Sequence, residues 1–233
     1  MTASMQTPFF IVLTLAAYLL FRRLYGRFPH PLFNVIVLSA ASIITLLLLC
    51  GLSYEAYAPA RKMLNSLLGP ATVGLAVPLY RYRKLLVRAA PAIVGSVAAG
   101  ALASMASAGL LSLFAGLPRH VVISIMPKGV SIPFAVEIAA LYEGDPALAA
   151  AFVVATGTLG SLFGPVALTL FGIRAPVPRG LALGTVSHAQ GTAAALQEGE
   201  LPGAMGGLAM ILSGMLTVLF SPLVVRVLDT CSP

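Results

Sequence analysis

The sequence predicts an all-α fold, a polytopic bundle of transmembrane helices. Of the 233 residues, 59% are hydrophobic and only 9% are charged, and the mean hydropathy is +0.98. A soluble domain carries roughly 25% charged residues. The apolar runs approach or exceed the roughly 20 residues that cross a bilayer as a helix, and they lack the alternation of barrel strands. An integral membrane protein built from helices is therefore expected.

Two apolar runs open the chain, at residues 8–25 and 32–52. No basic residue precedes the first run and no small-residue cleavage site interrupts it, so it is expected to stay as an anchor rather than act as a signal peptide. By the positive-inside rule, the basic residues that follow it predict a cytoplasmic loop and an N-terminus outside. These residues are Arg22, Arg23, Arg27 and His30.

Four further apolar runs follow a short polar connection at residues 53–62. The first, residues 63–79, is interrupted by glycine and proline and leads into a basic cluster from Arg81 to Arg88. The others are predicted helices over residues 89–117, 146–173 and 203–228. Each of these three is long enough to cross the membrane.

Charge decides the predicted path of the chain between these helices. If residues 121–141 crossed the membrane, the acidic Glu143 would lie inside and the basic Arg174 outside, which inverts the usual distribution. The segment is therefore predicted to be re-entrant, dipping into the bilayer and returning to the same face. This path places Arg226 inside and Glu198 with Glu200 outside. Residues 180–197 offer a second re-entrant segment, which would instead move the C-terminus outside.

The predicted organisation has two regions, a scaffold-like set of helices over residues 1–118 and a region with broken helices over residues 119–233. A weak internal repeat accompanies them, because Leu67-Leu68-Gly69-Pro70 recurs as Leu162-Phe163-Gly164-Pro165. Duplicated halves create a site at their interface in many transporters. Chance is an equal explanation, since glycine and proline are frequent in membrane helices.

A lysine lies within the apolar stretch 126–137, between two prolines. In hydrocarbon a lysine costs roughly 2.5–3.5 kcal/mol, and broken backbone is tolerated there only when it is buried in protein or lines a cavity. Pro127 and Pro133 expose helix N-termini, which favour anions. Lys128 and the exposed N–H groups are therefore predicted to hold a carboxylate, and Ser131 is predicted to contact the rest of the substrate. The alternative is that Lys128 snorkels to the membrane interface.

Glu137 ends this stretch, and the sequence supports two interpretations of its role. It is either a carrier of protons or the ion-pair partner of Lys128.

The second predicted site is the run from Gly184 to Thr192, in which hydroxyls, an imidazole and an amide lie close together. Glycines flank the cluster and allow a ligand to approach the backbone. The predicted substrate contacts are Ser187, His188, Gln190, Gly191 and Thr192. Hydrogen bonding between helices is the alternative. His188 is also a candidate for proton coupling, because histidine titrates near physiological pH.

Other classes of function are disfavoured. Ser187 and His188 are adjacent, so on a helix they point about 100° apart and cannot form a nucleophile and base pair. No zinc-ligand spacing occurs, and no metal or other cofactor is predicted. The net charge of +7 is not accompanied by an aromatic and basic module, so nucleic acid is not an expected partner. The chain is not expected to be an enzyme.

The two predicted sites are also where the chain resembles the LrgB/CidB family. The resemblance includes Met126-Pro127-Lys128, the following Pro133-Phe134-Ala135-Val136-Glu137, the run from Arg179 to His188, and Leu68-Gly69-Pro70-Ala71-Thr72-Val73. It extends over nearly the whole chain. The bacterial members are similar to the plastid glycolate/glycerate translocator.

The resemblance implies a membrane transporter of small monocarboxylates such as pyruvate, lactate, glycolate or glycerate. We expect a multi-pass protein of the inner membrane, and coupling to protons or another ion is a further expectation that rests on the candidate residues His188 and Glu137. The resemblance also implies a smaller membrane partner of the LrgA/CidA type. The family has been described as antiholin-like, so a pore-type protein that regulates murein hydrolase activity and lysis is the alternative. Small-residue helix faces suggest a homodimer, and they serve packing within one chain equally well.

Overall fold

The computed structural model describes residues 3–27, 35–67, 70, 73–74 and 76–231. Within these ranges the chain is helical and contains no strand, which confirms the all-α class. The named helices are α1 (Ala3–Arg27), α2 (Val35–Leu49), α3 (Tyr54–Ser66), α4 (Ala76–Arg81), α5 (Arg83–Phe114), α6 (Arg119–Ile125), α7 (Ile132–Leu141), α8 (Pro146–Leu170), α9 (Pro176–Glu198) and α10 (Glu200–Cys231).

Four of the described helices are long and apolar enough to cross a membrane. They are Thr7–Arg27 within α1, and the whole of α5, α8 and α10. The chain divides into two compact units, Met1–Ala76 and Val77–Pro233. The predicted division between residues 118 and 119 separates regions by role, and it stays a prediction.

The first unit packs α1 against α2 and α3 around Phe10, Ile43 and Leu47. Residues 53–62, predicted to be a connection, form most of α3 instead. The helix is amphipathic: its Tyr57 ring packs on Phe10, while charged residues cover the outer face. These charged residues lower the mean hydropathy of the segment, so it was not predicted to be a helix. The loop residue His30 and residues 68–69 of the predicted repeat lie outside the described residues.

In the second unit, α6 and α7 form a hairpin, here called the first hairpin. An Arg119 guanidinium nitrogen donates to the Tyr142 carbonyl at 3.1 Å. In a continuous helix these residues would be about 35 Å apart, so the chain must reverse between them. The reversal occurs at residues 126–131, the first tip. Residues 121–141 therefore return to the end where they began, as predicted.

Helix α9 is a second hairpin, although it is helical on both sides of its turn. Its backbone leaves helical geometry at Ser187 (φ −120°, ψ 16°) and His188 (φ 43°, ψ −129°), the second tip. Arg179 and Glu198 form an ion pair at 2.6 Å. A straight helix would hold them about 28 Å apart. The two arms of α9 are therefore antiparallel.

The two hairpins begin at opposite ends of α8. Asp145 accepts hydrogen bonds from the first turn of α8, at the base of the first hairpin. Arg179 donates to the carbonyls of Pro165 and Ile173, at the other end of α8 and at the base of the second hairpin. We call these two ends of the second unit the Arg119 end and the Arg81 end.

The second reversal corrects the predicted positions of the acidic residues. Glu198 pairs with Arg179, and Glu200 pairs with Arg81 at 2.8 Å, so both glutamates lie at the Arg81 end. The prediction that put Glu198 and Glu200 on the face opposite Arg179 is therefore wrong. Helix α10 then runs to the Arg119 end, so the prediction that put Arg226 with Arg179 is wrong as well. The alternative in which residues 180–197 are re-entrant describes this path.

The second unit consequently contains a repeat of inverted topology. Helix α5 is followed by the first hairpin, and α8, which runs in the opposite direction, is followed by the second hairpin. This repeat differs from the one that the sequence suggested. Its halves are residues 83–143 and 146–198, and it arises from the direction of the chain rather than from recurring residues.

Candidate functional site at the hairpin tips

The two tips meet inside the second unit. A Cβ atom on Gly129 would lie 3.5 Å from the Thr185 carbonyl oxygen and 3.7 Å from that of Val186. Ser213 on α10 donates a hydrogen bond to the same Thr185 carbonyl at 3.1 Å. The two stretches that the sequence singled out are thus in contact, although Gly129 and Thr185 are 56 positions apart in the sequence.

The second tip is held against the middle of α8. His188 is buried, and its Nε2 donates to the Val153 carbonyl oxygen at 3.1 Å, which assigns the ring proton to that nitrogen. A Cβ at Gly157 would lie 2.6 Å from His188 Nε2, and one at Gly160 would lie 2.8 Å from Ser187 Cβ. Only glycine at these two positions leaves room for the tip.

The backbone at His188 is strained. Its positive φ of 43° is uncommon for a residue other than glycine, and such conformations cost about 1–3 kcal/mol unless their surroundings hold them. Here the hydrogen bond to Val153 holds the side chain. Thr192 donates to the His188 carbonyl at 2.9 Å and so fixes the start of the second arm.

Lys128 lies at the first tip, the part of its hairpin farthest from the base at Arg119. It is half-buried, and its side chain makes no hydrogen bond or ion pair with any part of the chain that the structure describes. Glu137 is exposed on α7, where it borders a groove beside Val218 and Pro222 of α10. The ion pair between Lys128 and Glu137, one of the two alternatives, is not formed.

The remaining predicted residues separate into two groups. Ser131 and Gln190 lie at the starts of the second arms of the first and second hairpin, respectively. Ser131 is the N-cap of α7 and makes no capping hydrogen bond. The Oε1 atom of Gln190 is buried and has no hydrogen-bond partner among the described residues. Gly191 and Thr192 are engaged in packing. Gly191 lies against the Leu183 carbonyl of the opposite arm, and Thr192 holds the tip.

A crevice lies between the tips and the long helices α5 and α10. It is lined by four residues that carry hydroxyl groups, Ser104, Thr185, Ser213 and Thr217, together with Ala101, Met105, Pro127 and Gly129. It is too narrow to hold a water molecule in this conformation. Ser104 Oγ is buried and has no hydrogen-bond partner in the described part of the chain.

Comparison with known proteins assigns the chain to a family. The LrgB-like family matches residues 14–227. The chain belongs to the LrgB-like family. This confirms the resemblance carried by the two tip sequences.

Individual relatives extend over nearly all of this LrgB-like protein. It is 39% identical over 215 residues to the uncharacterized protein YxaC of Bacillus subtilis, covering 92% of this chain and 94% of the relative. It is 27% identical over 225 residues to the holin-like protein CidB of Staphylococcus epidermidis, covering 97% of this chain and 98% of the relative. It is 28% identical over 220 residues to the holin-like protein CidB of Staphylococcus aureus, covering 94% of this chain and 96% of the relative. No solved structure matches the chain.

Three residues of the crevice in this LrgB-like protein were not predicted as site residues. Ser104, Ser213 and Thr217 lie inside the long apolar helices α5 and α10. A hydroxyl within such a helix commonly bonds to its own backbone or to a neighbouring helix, so it carries little signal by itself. Only the approach of the two tips distinguishes these three.

Arginines secure the base of each hairpin. Arg119 forms two hydrogen bonds to Asp229, at 2.8 and 3.1 Å, and joins the first hairpin to the end of α10. Hydrogen bonding to Asp229 raises the pKa of Arg119 above its ordinary value, so the guanidinium stays charged. Arg179 joins both arms of the second hairpin to α8. Among the described residues, no cluster of three or more His, Cys, Asp or Glu side chains offers a metal site.

Proposed function

We propose that this LrgB-like protein is a carrier of the bacterial inner membrane that binds a small monocarboxylate at the hairpin tips, beside Lys128. The observation that carries the proposal is the meeting of two re-entrant hairpins from opposite ends of the second unit. Inverted repeats whose broken helices meet near the bilayer midplane are the architecture of many secondary transporters. The substrates expected are in the class of pyruvate, lactate, glycolate and glycerate.

The charge at the tips suits a carboxylate. Each second arm begins at a tip, and the N-terminus of a helix carries unpaired N–H groups and the positive end of the helix dipole. Lys128 adds an ammonium group without an ionic partner in the described residues. In the proposal Lys128 and the second arms bind the carboxylate, while Ser131, Ser187, His188 and Gln190 contact the rest of the substrate.

Transport requires that the site open to each side in turn. The two hairpins are in contact in this structure, so a substrate reaches Lys128 and the second arms only after one hairpin or long helix moves. Two hairpins from opposite ends provide a gate on each side. Protonation of His188 or Glu137 remains the predicted route for proton coupling.

A second candidate is a pore-type, antiholin-like protein that regulates murein hydrolase activity and lysis. The relatives named holin-like protein CidB favour this candidate. In that case the polar residues at the tips line a channel or mediate assembly. Both candidates allow a smaller LrgA/CidA-type partner and a homodimer, and neither is an enzyme.

Uptake into proteoliposomes distinguishes the two candidates. The purified protein is reconstituted and tested with a panel of radiolabelled monocarboxylates. A carrier gives saturable uptake that is lost on Lys128→Ala and reduced at least tenfold on His188→Ala. Lys84→Ala, an exposed lysine at the Arg81 end, is the matched control and should retain uptake.

Non-saturable leakage of unrelated solutes such as neutral sugars would contradict the carrier, because it is the behaviour of a pore. Saturable carboxylate uptake that survives Lys128→Ala, in a variant that incorporates normally, would contradict the role proposed for Lys128 and leave the carrier in place.

A further inference from the structure

We propose that the crevice between the hairpin tips binds a sodium ion, which couples to transport of the carboxylate. The coupling rests on the carrier function proposed above, whereas the binding of the ion does not. The crevice is distinct from Lys128, which does not line it.

The polar groups that line the crevice are neutral oxygens. Ser213 and Thr217 are each 2% exposed, Thr185 is 4% exposed, and Ser104 contributes a buried hydroxyl. Hard cations are bound by oxygen ligands. No carboxylate lines the crevice, and the lack of negative charge favours a monovalent ion over calcium or magnesium, whose sites use carboxylates.

The break in α9 adds backbone carbonyls to these hydroxyls. The first arm of the second hairpin ends at Val186, and the last carbonyls of a helix lack partners within it and form the negative end of the dipole. The carbonyl oxygens of Thr185, which also accepts from Ser213, and of Val186 lie near Gly129 of the other tip, at the distances given above. Carbonyl oxygens attract a cation and repel a carboxylate, so the crevice is not the anion site.

The dimensions exclude larger ligands. The crevice is too narrow for a water molecule in this conformation, so no organic solute fits it, whereas a dehydrated sodium ion is smaller than water. Gly129 keeps it open, because a Cβ there would lie 3.0 Å from Ser104 Oγ.

The unpaired hydroxyl of Ser104 is the most direct indication of a ligand. A buried polar atom without a partner is unfavourable and calls for an explanation, such as an ion that completes its contacts. Ser104 Oγ faces Gly129 at the crevice and has no such partner among the described residues. Lys128 is next in sequence to Gly129, which lines the crevice. A carboxylate held by Lys128 would therefore lie beside the ion, and attraction between the two charges would couple their binding.

Thermal unfolding of the full-length protein in detergent tests the site without any carboxylate. Sodium chloride is titrated at constant ionic strength against choline chloride, with potassium chloride in parallel. The midpoint should rise with sodium and saturate, as expected for a ligand that binds the folded state. Potassium should act more weakly, and choline should have no effect.

Ser104→Ala provides a sharp test, because it removes a hydroxyl that makes no hydrogen bond within the described chain. Its midpoint in choline should equal that of the wild type, while its response to sodium should require at least about ten times more salt. Removing even an outer-shell partner of a metal costs about that much. Ser107→Ala is the matched control, an exposed serine on the same helix, and should respond as the wild type does.

The outcomes separate the site from its role. Equal responses to sodium and choline, or a wild-type sodium response in Ser104→Ala, would overturn the sodium site. Sodium binding with carboxylate uptake that ignores the sodium gradient would overturn the coupling. Sodium binding without any saturable uptake would overturn the proposed carrier and leave the ion site in place.

Discussion

At the scale of single residues, the site depends on where side chains are missing as much as on where they are present. Gly157 and Gly160 lie in the middle of α8, and Gly129 lies at the first tip. Each allows a polar group of the second hairpin or of α5 to approach the backbone closely. Among the described residues, the polar side chains at the site include a lysine without an ionic partner, a histidine with strained backbone, and buried hydroxyls.

Replacing Gly157 by alanine should therefore disturb the second tip. The new methyl group would lie 2.5 Å from His188 Cε1, so the ring must shift away from Val153. Overpacking of this kind costs about 1–3 kcal/mol, and uptake should fall with it. The measurement is thermal unfolding together with carboxylate uptake.

Gly95 on α5 is the control for this substitution. Nothing lies within 4 Å of a Cβ placed there, so Gly95→Ala should gain up to about 1 kcal/mol from helix propensity alone. Equal effects of the two substitutions would contradict the predicted packing of His188 on α8.

At the scale of elements, the hairpins are closed at their bases by ion pairs and left free of them at their tips. Arg179 reaches Glu198, Thr169, and the carbonyls of Pro165 and Ile173. The side chains of Arg179 and Glu198 are only 12% and 21% exposed, so water screens this pair weakly. We therefore expect any movement of the second hairpin to leave this base in place.

Arg179→Gln should loosen that base. Hydrogen bonds to a charged group contribute about 1.5–3 kcal/mol, and removing the arginine also leaves Glu198 without its ionic partner. We expect a loss of about 2–4 kcal/mol in the free energy of unfolding. Arg81→Gln breaks a pair that is 65% and 48% exposed and should cost less than about 1 kcal/mol. Chemical denaturation of both variants in detergent checks the order, and equal losses would contradict it.

At the scale of the whole molecule, the number of reversals determines which residues share a face. With both hairpins, the Arg81 end of the second unit carries Arg81, Arg83, Lys84, Arg88, Arg174 and Arg179 beside Glu198 and Glu200. The Arg119 end carries three acidic residues, Glu143, Asp145 and Asp229, near Arg119 and Arg226. The positive-inside rule then predicts that the Arg81 end is cytoplasmic and the C-terminus is outside.

Labelling of single cysteines with a membrane-impermeant maleimide tests this path. Cys50→Ser leaves Cys231, which is exposed near the end of α10. Cys231 should react from the outside of intact cells. In a background without native cysteines, Glu143→Cys should also react from outside, and Gln197→Cys should react only after the membrane is opened. Labelling of Gln197→Cys and Cys231 from the same side would contradict two re-entrant hairpins.

Much of this protein was determined by its sequence alone, because hydropathy and loop charge act locally. They predicted the class, the long helices, the re-entrant segment at residues 121–141, and the two stretches that became the tips. The family likeness rested on the same stretches. The amphipathic α3 was missed because its polar face lowered the hydropathy of the segment.

Only the tertiary structure decided how these pieces combine. The reversal at Ser187 and His188 is invisible to hydropathy, since both of its arms are ordinary helix, and it changes the side on which Glu198, Glu200 and Arg226 lie. The contact between the tips brings Ser104, Ser213 and Thr217 into the site from helices that looked like scaffold. Neither result is encoded in a local pattern, because each depends on a close approach of backbones that only the packed helices create.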